Sequence, residues 1–111
     1  MNPEIDARMP QIEELCRRYG IVRLELFGSA TGPDFDPVKS DFDFLAEFAD
    51  RGPNTRFAKR FFEFEQDLAS LFSRKVDLHT SHFPIKNPFL ARSIDESRRT
   101  IYGPIRERSS A

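Results

Sequence analysis

Two aspartates separated by one residue are the first candidates for chemistry in this chain. Asp41 and Asp43 alternate with Phe42 and Phe44. On a strand, side chains two residues apart project from the same face, with backbone positions about 6.5 Å apart. Carboxylates held at that separation repel by roughly 2.5 kcal/mol at an effective dielectric of about 20, so they favour a nearby cation. On its own, such a pair is more often a solvated strand face than a metal site. If it does bind a cation, Mg²⁺ is the natural candidate, because Mg²⁺ prefers hard oxygen ligands and often shares its shell with phosphates.

A third carboxylate lies in another segment of alternating residues. Between positions 75 and 79, apolar residues alternate with Asp77 and His79, which therefore face away from the core. If this strand pairs beside the one that carries Asp41 and Asp43, three carboxylates share one rim of the sheet. Two metal ions about 3.5–4 Å apart on such a rim can clamp the attacking and leaving oxygens of a displacement at phosphorus. Asp77 is expected to lie nearer the group that attacks the phosphorus, and could also accept the proton of that group.

A glycine and a serine follow the segment Val22–Phe27, which alternates like a strand. Gly28 allows backbone amides to approach a phosphate closely, and the Ser29 hydroxyl adds a donor. On their own these two residues are more often an ordinary turn. They gain weight as a triphosphate-binding turn only because the carboxylates follow.

The elements that position these residues follow from hydrophobic spacing and from turn residues. The predicted helices are Pro3–Tyr19, ended by Gly20; a helix with its apolar stripe from Phe57 to Leu71, capped by Asn54 or Thr55; and a helix from Asn87–Pro88 to about Tyr102, ended by Gly103–Pro104. The predicted strands are Val22–Phe27, Asp41–Phe48 and residues 75–79, with a loop over Ala30–Ser40. The predicted fold class is α/β of the α+β kind, a small mixed sheet flanked by about three helices. The arginines Arg98, Arg99, Arg106 and Arg108 are interpreted as a solvated helix face and tail, with a partner-docking surface as the alternative.

Length and composition limit the possible function classes. A chain of 111 residues predicts one domain, over residues 1–104, followed by a frayed tail over residues 105–111. The 17 basic and 18 acidic residues argue against broad nucleic-acid binding. The single cysteine allows no intrachain disulfide and indicates a reducing compartment. The opening residues lack the basic start and apolar run of a signal peptide, and no apolar stretch is long enough to cross a bilayer, so neither export nor membrane insertion is expected. A cytoplasmic location is therefore expected.

Other phosphate and metal motifs do not fit. An EF-hand loop fails because Leu45 and Ala46 occupy positions that need an oxygen ligand and a glycine, and no Walker-type Gly-Lys-Ser/Thr sequence follows the first strand. His79 and His82 do not predict a zinc site, since Cys16 is their only other soft partner and lies on a distant predicted helix. A minor role for His79 near a nucleotide stays open.

Leu26-Phe27-Gly28-Ser29, followed after a loop by Ser40-Asp41-Phe42-Asp43-Phe44-Leu45, resembles the signature of the DNA polymerase beta nucleotidyltransferase superfamily. Val76-Asp77-Leu78 looks like the third-carboxylate strand of that family, residues 87–103 are similar to its closing helix, and the length points to its minimal branch. The resemblance implies a polymerase beta-like nucleotidyltransferase fold. It also implies that Gly28 and Ser29 bind the triphosphate, while Asp41, Asp43 and Asp77 ligate two Mg²⁺ ions and form the catalytic triad.

The resemblance also implies a partner. Minimal members of the family typically act as antitoxins that transfer AMP from ATP to a side chain of a HEPN-type ribonuclease toxin encoded beside them. After the core elements are placed, no residues remain for an acceptor-binding domain, so the acceptor is expected on another molecule. One alternative is a non-catalytic binding module that neutralises its partner by occlusion, which the intact Gly28, Ser29 and three aspartates disfavour. Transfer to a small molecule such as an antibiotic is the other alternative.

Overall fold

A computed structural model describes residues 2–33, 35–36, 41–50, 56–83 and 85–104. The elements in chain order are α1 (Pro3–Ala7), α2 (Met9–Tyr19), β1 (Ile21–Phe27), a 3-10 turn (Gly28–Thr31), β2 (Phe42–Phe48), α3 (Phe57–Phe72), β3 (Val76–Thr80), α4 (Pro88–Ser97) and β4 (Arg99–Tyr102). The four strands form one mixed sheet in the order β3-β2-β1-β4. Strand β1 is antiparallel to β2 and β4, whereas β2 and β3 are parallel. The predicted α+β class is confirmed.

The two faces of the sheet pack against different helices. The larger core joins one face to α2 and α3, and the fully buried Phe42 and Phe44 of β2 belong to it. A smaller cluster of Phe27, Leu45 and Ile94 joins the opposite face to α4. Phe42 and Phe44 lie in the larger core and Leu45 in the smaller one, because successive side chains of a strand point to opposite faces.

Helix α3 is positioned by the apolar stripe predicted from its spacing. Phe64, Leu68 and Phe72 recur every four residues, are buried, and face the sheet core. The ring of Phe72 contacts those of Phe42 and Phe44 with centroids 4.8 and 6.2 Å apart. Burial of each such side chain contributes roughly 1.5–3 kcal/mol, so this stripe fixes α3 against β2 and β3. The predicted cap at Asn54 or Thr55 lies outside the described residues.

The first helix differs from its prediction. The segment Pro3–Tyr19 forms two helices separated at Arg8 instead of one. Pro10 has no backbone N–H to donate to the carbonyl four residues earlier, and the residue before a proline disfavours helical geometry. The predicted stop is confirmed, since Gly20 ends α2 in the left-handed conformation at φ +69°.

The prediction that the last helix continues to Tyr102 is wrong. Helix α4 ends at Ser97, and Arg99–Tyr102 is strand β4, hydrogen-bonded to β1. An open edge of β1 offers ladder hydrogen bonds, and β-branched Thr100 and Ile101 suit a strand, so pairing with β1 outweighs the helical spacing. The tail over residues 105–111 lies outside the described residues.

The interpretation of Arg98 as part of a solvated helix face is also wrong. Its Nε and Nη2 atoms lie 3.0 and 2.8 Å from the carboxylate oxygens of Glu25, a β1 residue that is only 3% exposed. This bidentate pair holds the start of β4 against β1. Arg99 is exposed on β4, whereas Arg106 and Arg108 lie outside the described residues. Within the described part of the chain, no helix is long and apolar enough to cross a membrane.

Candidate active site

The turn at the end of β1 requires glycine. Gly28 has φ +78°, which side-chain-bearing residues rarely adopt, and a Cβ atom built there would lie 2.8 Å from Oδ2 of Asp43. Strand β1 pairs with β2 so that Phe27 lies opposite Asp43. The antiparallel register therefore places the glycine turn so close to the Asp43 carboxylate that a side chain at position 28 would clash with it.

The parallel pairing of β2 with β3 brings the predicted carboxylates together. Asp43 lies beside Asp77 in the register, and their carboxyl groups are within hydrogen-bonding reach. Asp41 comes one residue before β2 and is half-buried. Because the side chains of residues 41, 43 and 77 lie on the same face of the sheet, the three carboxylates occupy a single rim, as predicted.

A cation from the protein already lies at this rim. Lys75 precedes β3, and its Nζ atom lies 3.8 Å from Oδ2 of Asp41 and 4.0 Å from Oδ1 of Asp77. Its carbonyl oxygen accepts a hydrogen bond from the N–H of Phe42, which fixes its backbone beside β2. The side chains of residues 75, 77 and 79 lie on the same face of the sheet, but the sequence analysis assigned only Asp77 and His79 to that face.

The environment of Asp43 disfavours its charged form. Burial, followed by the negative charges of Asp77 and Asp41, raises the pKa of Asp43 from 3.8 to about 6, although the positive charge of Lys75 opposes the rise. Desolvation and like charges both act against ionisation, so the site is an unfavourable place for an uncompensated carboxylate. A bound divalent cation would remove that penalty.

The donors fit Mg²⁺ in chemical type and in charge. Asp41, Asp43 and Asp77 supply hard oxygen ligands, and the Asp41 and Asp77 side chains are 40% and 42% exposed, so they have room to change rotamer. In the described ranges, the side chains as placed form no group of three or more His, Cys, Asp or Glu residues that could hold a metal ion. The fit therefore depends on donor chemistry and on side-chain rotation toward a common centre.

The glycine turn is held from helix α4. The N–H of Gly28 donates to Oγ of Ser97 at 2.7 Å, and the Ser97 hydroxyl donates to the carbonyl of Ser93. Thr31 Oγ1 donates to the Gly28 carbonyl at 2.8 Å, while the Ser29 side chain points to solvent. The sequence interpretation missed Ser97, because a serine in a helix carries no signal that it contacts a turn 69 residues away.

Each of the two histidines contacts a phenylalanine of the sheet. The ring of His79 packs against Phe27 with centroids 5.6 Å apart, on the same face of the sheet as Asp77. His82 Nε2 accepts a hydrogen bond from the N–H of Phe48 at 2.9 Å.

Comparisons with known proteins bear on this site. The family model described as "Nucleotidyltransferase domain" matches residues 9–102. No curated protein matches the chain. Among solved structures, a chain from a toxin–antitoxin crystal structure with AMP-PNP is 24% identical, with a TM-score of 0.63 over 86% of this chain and 73% of that one.

Two further solved structures have the same fold. One contains a tri-AMPylated Shewanella oneidensis HEPN toxin in complex with an MNT antitoxin, and the match is 23% identical with a TM-score of 0.61 over 89% of this chain and 72% of that one. The other is a protein provisionally assigned as a minimal nucleotidyltransferase. It is 25% identical, with a TM-score of 0.65 over 86% of this chain and 90% of that one.

Proposed function

Because this chain belongs to the nucleotidyltransferase domain family, we propose that it is an ATP- and Mg²⁺-dependent antitoxin that transfers AMP to a side chain of a HEPN-type toxin. The observation that carries the proposal is the contact of three parts of the chain at one rim. Gly28, directly after β1, lies close to the Asp43 carboxylate, and Asp43 lies beside Asp77 of β3. A phosphate-binding turn beside paired carboxylates is the arrangement that nucleotidyl transfer needs.

Each residue has a role in that reaction. The Gly28–Ser29 turn binds the triphosphate through the exposed Ser29 hydroxyl and through backbone amides other than that of Gly28, whose N–H donates to Ser97. Asp41, Asp43 and Asp77 would hold Mg²⁺. When bound, Mg²⁺ neutralises the phosphate charge and favours displacement at phosphorus. The acceptor atom bonds to the α-phosphorus, the bond from that phosphorus to the bridging oxygen breaks, and pyrophosphate leaves. Asp77 accepts the acceptor proton.

Similarity to solved structures supports the choice of nucleotide and partner. One similar structure is a toxin–antitoxin assembly with an ATP analogue, and another includes a HEPN toxin that carries AMP groups beside an MNT antitoxin. Their identity to this chain is 23–24%. The adenine base, the partner and the modification are therefore proposed for this chain by analogy with those proteins.

The test uses ATP labelled at the α-phosphate, Mg²⁺ and a lysate of the source cells. The label separates nucleotidyl transfer from phosphoryl transfer. The wild-type chain should label a protein band, Asp41→Asn/Asp43→Asn should not, and Asp95→Asn, which removes an exposed carboxylate on α4, should label it like the wild type. Recovery of a HEPN-type protein from the band would support the toxin assignment.

The second candidate is neutralisation by occlusion. If no band is labelled although the chain still binds a HEPN-type partner, occlusion becomes the better explanation. If a labelled antibiotic appears instead in a panel of small molecules, the acceptor class proposed here is wrong. The carboxylates and glycine turn in one site favour catalysis over occlusion.

A further inference from the structure

Lys75 is the charged neighbour of the carboxylates that the proposed reaction does not use. Its Nζ atom lies between Asp41 and Asp77, at 3.8 and 4.0 Å. Both distances exceed the roughly 2.7–3.2 Å of a hydrogen bond, so the ammonium is held by charge attraction alone in these two contacts. The Lys75 side chain is also 69% exposed.

The backbone at this position is fixed although the side chain extends into solvent. The hydrogen bond from Phe42 to the Lys75 carbonyl, at 3.3 Å, ties the start of β3 to β2. Parallel pairing of Phe42 with Val76 places Lys75 one row earlier, beside Asp41. The fixed backbone therefore keeps the ammonium within reach of the carboxylates, while the long, exposed side chain can move away from them at little energetic cost.

We propose that Lys75 is an exchangeable counter-ion of the metal site, which occupies the carboxylate rim in the metal-free chain and is displaced when a divalent cation binds. This inference rests on the proposed function, because it takes Asp41, Asp43 and Asp77 as the ligands. A bound Mg²⁺ brings two positive charges to oxygens that already attract one ammonium. The ammonium and the metal therefore compete, and Lys75 sets the affinity of the chain for metal in the absence of nucleotide.

The competition is measured as binding of Mn²⁺ alone to the purified chain at pH 8, from the electron paramagnetic resonance signal of free Mn²⁺. Lys75→Met should tighten Mn²⁺ binding about three- to ten-fold at low ionic strength, with a smaller gain in 0.5 M salt because exposed charges are screened. Lys75→Arg retains the charge and should bind like the wild type. Lys59→Met is the matched control, since Lys59 is exposed on α3, which packs against the opposite face of the sheet.

The outcomes distinguish this inference from the proposed function. Tighter Mn²⁺ binding by Lys75→Met, with no gain in Lys75→Arg or Lys59→Met, supports the exchange. If Lys75→Met binds Mn²⁺ no more tightly than the wild type while Asp41→Asn/Asp43→Asn loses binding, the counter-ion role is wrong and the metal site stands. If Asp41→Asn/Asp43→Asn binds like the wild type, the ligand assignment is wrong and the counter-ion role falls with it.

Discussion

Asp43→Asn should make the metal-free protein more stable. Burial and two like charges raise the pKa of Asp43 from 3.8 to about 6, so above that pH the folded chain contains a carboxylate that would be better solvated in the unfolded chain. A rise of that size corresponds to roughly 3 kcal/mol if it is fully expressed. Solvent screening at this half-buried group reduces the expected gain to about 1 kcal/mol. For a chain of this size, the melting temperature should rise by about 4 °C.

The sign of the pH dependence follows from the raised pKa. The folded state binds the Asp43 proton more tightly than the unfolded state, so this group favours folding fully below pH 3.8 and loses that contribution as the pH rises through about 6. Asp43→Asn should therefore match the wild type at pH 3.5 and exceed it at pH 7.5. An asparagine has the same shape and no charge, so the difference isolates ionisation.

Denaturant unfolding in the presence of a chelator measures the effect at the two pH values. Asp95→Asn, at an exposed carboxylate on α4, should change the free energy of unfolding by less than about 0.5 kcal/mol at either pH. The reasoning fails if Asp43→Asn is as stable as the wild type, or less stable, at pH 7.5. In that case the carboxylates do not strain the fold, and their crowding is no argument for a bound cation.

Three further outcomes are expected. Mg²⁺ with ATP should raise the melting temperature of the wild type by preferential binding to the folded state, and a rise of the same size in Asp43→Asn would contradict the metal assignment. Arg98→Met should destabilise the fold by about 3 kcal/mol in thermal unfolding, because it leaves the carboxylate of Glu25 buried without its bidentate partner; exposed Arg92→Met should have little effect. Ser97→Ala should raise the KM for ATP with little loss of kcat, because it removes the hydrogen bond from the Gly28 N–H to Ser97. Ser97→Thr retains the hydroxyl and should restore the wild-type KM. An unchanged KM in Ser97→Ala would show that the glycine turn does not depend on that hydrogen bond.

The parts of the fold that the sequence predicts are those controlled by alternation and by helical stripes. Asp41 and Asp43 alternate with phenylalanines, and one face of β2 must be buried, so their common direction follows from the residues alone. Glycine at position 28 likewise indicates the turn. The residue-level roles of this site stay predictions, because proximity alone does not establish catalysis.

The parts that the sequence does not predict depend on contacts between distant segments. Arg99–Tyr102 follows a helix without a preceding turn residue, and only the open edge of β1 makes it a strand. Burial of Glu25 is equally invisible in an alternating segment, because its partner Arg98 lies 73 residues later. Ser97 contacts the glycine turn for the same reason, since β4 brings the end of α4 beside β1.

The parallel pairing of β2 with β3 has a consequence for the order in which the site forms during folding. Antiparallel neighbours can be joined by a short loop, but parallel neighbours need a crossover, and here that crossover contains the whole of α3. Asp43 and Asp77 therefore meet only after a chain closure of more than thirty residues, which is entropically costlier than a local turn. A molecule in which β3 has not yet docked has the glycine turn beside Asp43 but lacks the third carboxylate. The ability to bind metal should then appear late in refolding, together with protection of the β3 amides from hydrogen exchange, so that capacity for chemistry coincides with completion of the sheet.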